Sequence, residues 1–183
     1  MPIIDFEGKK FGTRYNHLNG SYQLNCKWTE IVHAALTFGK SSKNEITKVT
    51  NYKYELHYRL YILRTFLEVT KNRIKKTDVY LNSDPSEKGA ISFYHGMLFA
   101  KLFAKKYFNI DWLVHFDSCG HNIHRKSSLK PDYIGMMSKN HWVVVEAKGR
   151  SGAYSHKAQT KAVNQAKTVD LVNGIKPILN VAI

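Results

Sequence analysis

The stretch Pro131-Asp132-Tyr133-Ile134-Gly135-Met136-Met137, then Ser138-Lys139-Asn140, then His141-Trp142-Val143-Val144-Val145-Glu146-Ala147-Lys148 reads as two strands joined by a short turn. A three-residue loop centred on Lys139 sets Met137 opposite His141. Pairing then runs outward one residue at a time. Asp132, seven positions before Lys139, therefore faces Glu146, seven positions after it. Directly opposed residues place their Cβ atoms roughly 5 Å apart on one face of a sheet. Glu146 and Lys148 are two apart, so an extended strand turns both to that same face. The Val143-Val144-Val145 run between them is typical of a strand buried on both sides.

Two carboxylates directly opposed repel each other, and burying them without a partner is costlier still. A divalent cation removes that penalty. Two carboxylates, a main-chain carbonyl and waters make a hard oxygen site suited to Mg²⁺. A lysine beside such a site can orient a water and stabilise charge developing on a phosphate.

The elements around the hairpin follow from local signals. Asp84-Pro85-Ser86-Glu87 has an acidic N-cap, Pro at the first helical position and Glu at the third, so a helix is expected to about Tyr107. Ile91, Tyr94, Leu98 and Leu102 give it an apolar stripe. Ile110–Phe116 reads as a strand and Ser118–Lys130 as a polar, basic loop. Ser155 caps a helix expected to reach Asn173, with Gly174 ending it. Pro177–Ile183 is a last strand. The chain stops on that apolar strand, which raises the expectation of a further C-terminal region or further subunits.

Residues 1–84 are read as a basic, mainly helical extension, and residues 85–183 as the core. Thr29–Phe38 is expected as a short helix ending at Gly39. Glu45–Lys75 has neither Gly nor Pro and reads as one long or broken helix, with Leu56, Leu60, Leu63 and Leu67 along one face. Tyr52, Tyr54, Tyr58 and Tyr61 are interleaved there with basic residues, as a solvated face or a phosphate-contacting one.

The chain has 183 residues, 28 Lys and Arg against 14 Asp and Glu, a net charge of +14 and a pI near 9.7. The excess is spread along it: 15 basic against 9 acidic residues in 1–90, and 13 against 5 in 91–183. A charge this large favours a polyanionic partner. No apolar run is long enough for a membrane span, and Met1–Glu7 lacks the pattern of a signal peptide. Cys26 and Cys119 read as two free thiols of a cytoplasmic protein.

Pro131-Asp132, a gap of thirteen residues, and Glu146-Ala147-Lys148 resemble the PD-(D/E)XK nuclease superfamily, whose fold is restriction-endonuclease-like. The element order from residue 85 resembles its αβββαβ core: an α/β fold with a mixed sheet flanked by helices. The resemblance covers just over half the chain. It implies Asp132 and Glu146 as metal ligands with the Ala147 carbonyl, and Lys148 as the catalytic lysine. Many members add a Gln or Lys on the following helix, for which Gln165 is the candidate and Gln159 the runner-up; an amide binding backbone at the core rim is the plainer role for Gln165. Some place an acid on the first core helix, for which Glu87 is the candidate, although its capping position accounts for it already. Arg150 and Ser151 follow closely enough to touch a phosphate, or to be turn residues.

The resemblance implies a Mg²⁺-dependent endonuclease, with Mn²⁺ substituting, that cuts DNA to leave a 3′-hydroxyl and a 5′-phosphate. A homodimer is expected for double-strand cutting, in a setting such as restriction, phage defence or repair. A non-catalytic nucleic-acid-binding or assembly module of the same fold, and an RNA endonuclease, are the alternatives. Cys119-Gly120-His121-Asn122-Ile123-His124 lacks the paired cysteines of a structural zinc site. It also lacks the context of an HNH motif. His121, His124, Arg125, Lys126 and Lys130 are instead expected to form a basic loop at the nucleic-acid groove.

Overall fold

The structure is a computed structural model that describes residues 1–152 and 155–183. The element order is β1 (Ile3–Gly8), β2 (Gly20–Asn25), α1 (Trp28–Thr37), α2 (Lys43–Thr47), α3 (Tyr52–Phe66), β3 (Leu67–Thr70), β4 (Arg73–Lys76), α4 (Asp78–Asn82), α5 (Pro85–Phe108), β5 (Leu113–His115), β6 (Ile123–Arg125), β7 (Tyr133–Met136), β8 (Trp142–Glu146), α6 (His156–Ala166), β9 (Val169–Val172) and β10 (Leu179–Ala182). Two 3₁₀ turns kinked at Tyr15 cover Thr13–Leu18, and one covers Phe116–Ser118. The fold is mixed α/β, with mixed sheets flanked by helices.

The sheet that holds the hairpin runs β10-β8-β7-β5. β5, β7 and β8 pair antiparallel in succession, and β10 joins β8 in parallel. A parallel neighbour needs a crossover, and α6 lies within it. Alternate residues of β8 enter different apolar clusters. Val143 and Val145 join one with Leu98, Leu102 and Phe108 of α5. Trp142 and Val144 join another with Ala166 of α6 and Val169 and Val172 of β9. The sheet is therefore covered on both faces, and all of β8 is buried.

α5 forms where its signals place it. Asp84 Oδ1 accepts the N–H of Ser86 at 2.7 Å and that of Glu87 at 3.2 Å, and Asn109 ends the helix with φ +52°. Its stripe Ile91, Tyr94, Leu98 and Leu102 is buried. The larger apolar cluster takes residues from both sides of Asp84: Ile31, Ala35 and Leu63 pack with Leu98, Val143 and Val181.

Three stretches differ from the sequence reading. Residues 67–76 are not a continuation of the preceding helix. They form the β3–β4 hairpin, turned through Lys71 and Asn72 at φ +50° and +62°. Two successive residues at positive φ make the tight turn that matches strand twist. This hairpin joins β1 and β2 in a second four-stranded sheet, β2-β1-β4-β3, so the first 84 residues carry a sheet beside their four helices. The helix begun at Ser155 ends at Ala166, not Asn173. Val169–Val172 is instead a strand paired with Ile123–Arg125, so the expected basic loop is partly a β ribbon. Asn173-Gly174, with φ +50° and +78°, is a hairpin turn rather than a helix end.

Candidate catalytic site

The β7–β8 ladder pairs Tyr133 with Val145, Ile134 with Val144, Gly135 with Val143 and Met136 with Trp142. The Met137 N–H donates to the His141 carbonyl at 3.0 Å. This is the register expected about Lys139, and one step outward it sets Asp132 opposite Glu146. The two residues are linked through their backbones. The Asp132 N–H donates to Glu146 Oε2 at 3.1 Å, and the Ala147 N–H donates to Asp132 Oδ2 at 2.9 Å. Lys148 Nζ donates to the other Glu146 oxygen, Oε1.

Glu146 has 0% side-chain exposure and Lys148 has 32%, so the pair joins the interior to the solvent edge. Burial pushes the Glu146 carboxyl up from its ordinary range; the Lys148 ammonium opposes that and the Asp132 charge adds to it. A further cation would favour the ionised form of both acids.

The backbone around the acids is held from three directions. The Phe116 N–H donates to the Asp132 carbonyl at 3.0 Å, fixing the start of β7 to the end of β5. Ile183 donates to the Glu146 carbonyl at 2.8 Å and accepts the Lys148 N–H at 2.7 Å. Ile183 thus takes the Glu146 carbonyl and the Lys148 N–H on either side of Ala147, whose own N–H goes to Asp132. Behind Lys148, α5 passes so close to Gly149 that neither Gly96 nor Gly149 has room for a Cβ.

The other candidates stand apart from this cluster. Gln165 Nε2 donates to the Lys130 carbonyl at 2.5 Å, two residues before Asp132. It steadies the chain entering the site, the backbone role anticipated for it. Gln159 Nε2 donates to the Ala182 carbonyl at 3.3 Å, on the strand beside Glu146. Glu87 is exposed in the first turn of α5 and pairs with none of Asp132, Glu146 and Lys148. It precedes Ser92, where α5 meets Gly149, by five residues, or about 7.5 Å of helix. Arg150 and Ser151 are exposed.

The basic residues of the β6 region are largely engaged within the fold. His124 and Lys126 lie 3.4 and 3.1 Å from Asp170, and Lys130 lies 2.6 Å from Asp117. Among the described residues no group of three or more His, Cys, Asp or Glu is arranged to hold a metal. The candidate site brings together only two such side chains. Cys26 and Cys119 are both free thiols.

Sequence reasoning placed neither the His115 ring against Tyr133 nor the expected helix α5 behind Lys148. His115 pairs with Tyr133 across β5 and β7, and their rings stack at 4.9 Å and 26°. Burial holds this imidazole below its usual range; Arg59 adds to that and Asp132 opposes it. No local pattern announces such a cross-strand pair. The close helix did leave a sign, because Gly96 sits inside an otherwise strong helix, where glycine is unfavourable without a packing reason.

No protein-family model, curated protein or solved structure matches the chain. No described helix is long and apolar enough to cross a membrane.

Proposed function

We propose that this chain is a divalent-metal-dependent endonuclease that hydrolyses DNA phosphodiester bonds at Asp132, Glu146 and Lys148, with the restriction-endonuclease-like core that its sequence resembles. One observation carries the reading. Two opposed carboxylates, one fully buried, meet a lysine reaching solvent where the central strands β7 and β8 begin and end. The sheet order β10-β8-β7-β5 supports it, as does the succession α5-β5-β6-β7-β8-α6-β9-β10, in which β6 and β9 pair with each other outside that sheet.

The donor set fits Mg²⁺. Asp132 and Glu146 would supply carboxylate oxygens, and the Ala147 carbonyl would be the third protein ligand. When bound there, Mg²⁺ would supply Lewis-acid activation of water and phosphate. The chain's own groups do the rest. Asp132 and Glu146 hold negative charge where a cation is needed. The buried side of the cluster excludes water, and Lys148 presents its ammonium at the open side. There it orients the attacking water and stabilises charge on the phosphate as the bond to the leaving 3′-oxygen breaks. That oxygen leaves as the 3′-hydroxyl, and the phosphate stays on the 5′ end. The net charge of +14 gives the phosphate backbone a long-range attraction to the protein.

The second reading is a non-catalytic nucleic-acid-binding module of the same fold. It is favoured by the satisfaction of Glu146 within the chain, through Lys148 and the Asp132 N–H. Plasmid DNA incubated with the protein and Mg²⁺, with and without EDTA, separates the two. Nicking or linearisation that EDTA stops supports the nuclease. Unchanged DNA, together with no Mn²⁺ binding, supports the module. The same assay on RNA decides between the nucleic acids.

A further inference from the structure

Helix α3 exposes three tyrosines: Tyr54 at 74%, Tyr58 at 63% and Tyr61 at 66%. Their spacing of four and then three residues sets them in one row along the helix. They stand about 6 and then about 4.5 Å apart along the axis. Lys53, His57 and Arg64 are also exposed, and the same periodicity sets them in a second row beside the first. Arg64 is held in place, its guanidinium lying 4.7 Å over the Trp28 ring. The one acid of α3, Glu55, is half-buried and bound to Lys40 and Arg59, so the exposed face of the helix carries no negative charge. The opposite side is anchored by buried Arg59 and Leu63, which leaves the tyrosine row facing solvent.

An aromatic row beside two cations and an imidazole suits single-strand recognition: bases stack on rings while phosphates meet positive charge and N–H donors. A duplex cannot use the rings, because its base faces are already stacked inside. Tyrosine and arginine are also enriched at protein interfaces; what favours a polyanion here is the net charge of +14 and a helix face without exposed acid. We propose that the outer face of α3 is a platform for unpaired nucleic acid, with bases stacked on Tyr54, Tyr58 and Tyr61 and phosphates along Lys53, His57 and Arg64. This deepens the reading above by naming a substrate with a single-stranded portion. It rests on the nucleic-acid part of that reading and not on the cleavage chemistry.

The test is fluorescence anisotropy of the full chain with a labelled 20-mer of thymidine and with a duplex of the same length, in EDTA to prevent cutting. Replacing Tyr54, Tyr58 and Tyr61 together by Ala should weaken single-strand binding roughly a hundredfold or more. Duplex affinity should change less than about threefold, since its phosphate contacts remain. The triple Phe variant keeps the rings and should bind the single strand about as the parent does. A triple Ala variant that is folded by circular dichroism and binds the 20-mer like the parent overturns the proposal. So does a triple Ala variant that loses self-association or binding to anionic vesicles while keeping the 20-mer. If Mg²⁺ elicits no cutting by the parent and yet the tyrosines hold the 20-mer, the nuclease reading fails and the platform stands. If the parent cuts and the triple Ala variant cuts and binds single-stranded substrate equally well, only the platform fails.

Discussion

Gly96 and Gly149 meet backbone to backbone. A Cβ placed on Gly96 would lie 2.3 Å from the Gly149 nitrogen, and one placed on Gly149 would lie 1.6 Å from the Ser92 carbonyl oxygen. This contact sets the height of α5 against the residue that follows Lys148.

Gly149→Ala and Gly96→Ala should therefore each destabilise the fold by about 1–3 kcal/mol, because backbone must move to admit the methyl group. Gly89, on the same helix, has open space around its Cβ position. Gly89→Ala should instead stabilise by up to about 1 kcal/mol, the ordinary gain of alanine over glycine in a helix. Urea unfolding of the three variants checks both signs.

Lys148→Ala should lower the cleavage rate roughly 10²- to 10³-fold, the loss expected for one positioned transition-state group. Mn²⁺ should still bind through Asp132 and Glu146, whereas Asp132→Ala should lose metal affinity and rate together. The variant should also melt at a lower temperature, since Glu146 loses its charged partner. Adding Glu146→Gln should recover the melting temperature without restoring cleavage. Cleavage, metal titration and melting, measured on all four proteins, separate the catalytic role proposed for Lys148 from its structural one.

DNA binding should weaken steeply with salt, because contacts between the basic surface and phosphates release counterions. A plot of log affinity against log salt between 50 and 300 mM, roughly the span over which such contacts are screened, should be linear with a slope of several units. A flat plot would remove nucleic acid as the partner.

His95 gives the fold a pH dependence on the acid side. It is buried on α5, where Nε2 has no hydrogen-bond partner among the described residues, and burial lowers its pKa to about 4, with Lys76 adding to the effect. The unfolded chain takes up this proton near pH 6.5 while the folded chain does not until about pH 4. Its stabilisation is thus complete above pH 6.5 and is lost as pH falls toward 4, by roughly 3 kcal/mol in all. Urea unfolding at pH 7, 5.5 and 4.5 should show the decline, and His95→Leu should flatten it. Equal slopes for the two proteins would assign the acid sensitivity elsewhere.

The hairpin was readable in the chain because strand pairing is arithmetic: a turn centred on Lys139 and a period of two fix which residues oppose and which share a face. The long helix was readable because Asp84, Pro85 and a continuous stripe act within a few residues of one another. The strand of valines announced its double burial by composition alone.

Long-range competition decided the rest. Asn173-Gly174 reads equally well as a helix end and a hairpin turn; the choice fell to the turn because Val169 and Val172 find a buried cluster only as a strand beside Ile123. Residues 67–76 carry no break in their helical pattern, and become a hairpin because β1 offers β4 a parallel neighbour from seventy residues away. Gln165 has the spacing to face the sheet, yet its amide donates to the Lys130 carbonyl, on the chain leading to Asp132. The sequence itself determined the carboxylates, the lysine and their register, since those depend on spacing along one hairpin. Only the tertiary structure decided what stands behind them, because the closeness of Gly96 to Gly149 and the stacking of His115 on Tyr133 depend on how separate segments pack.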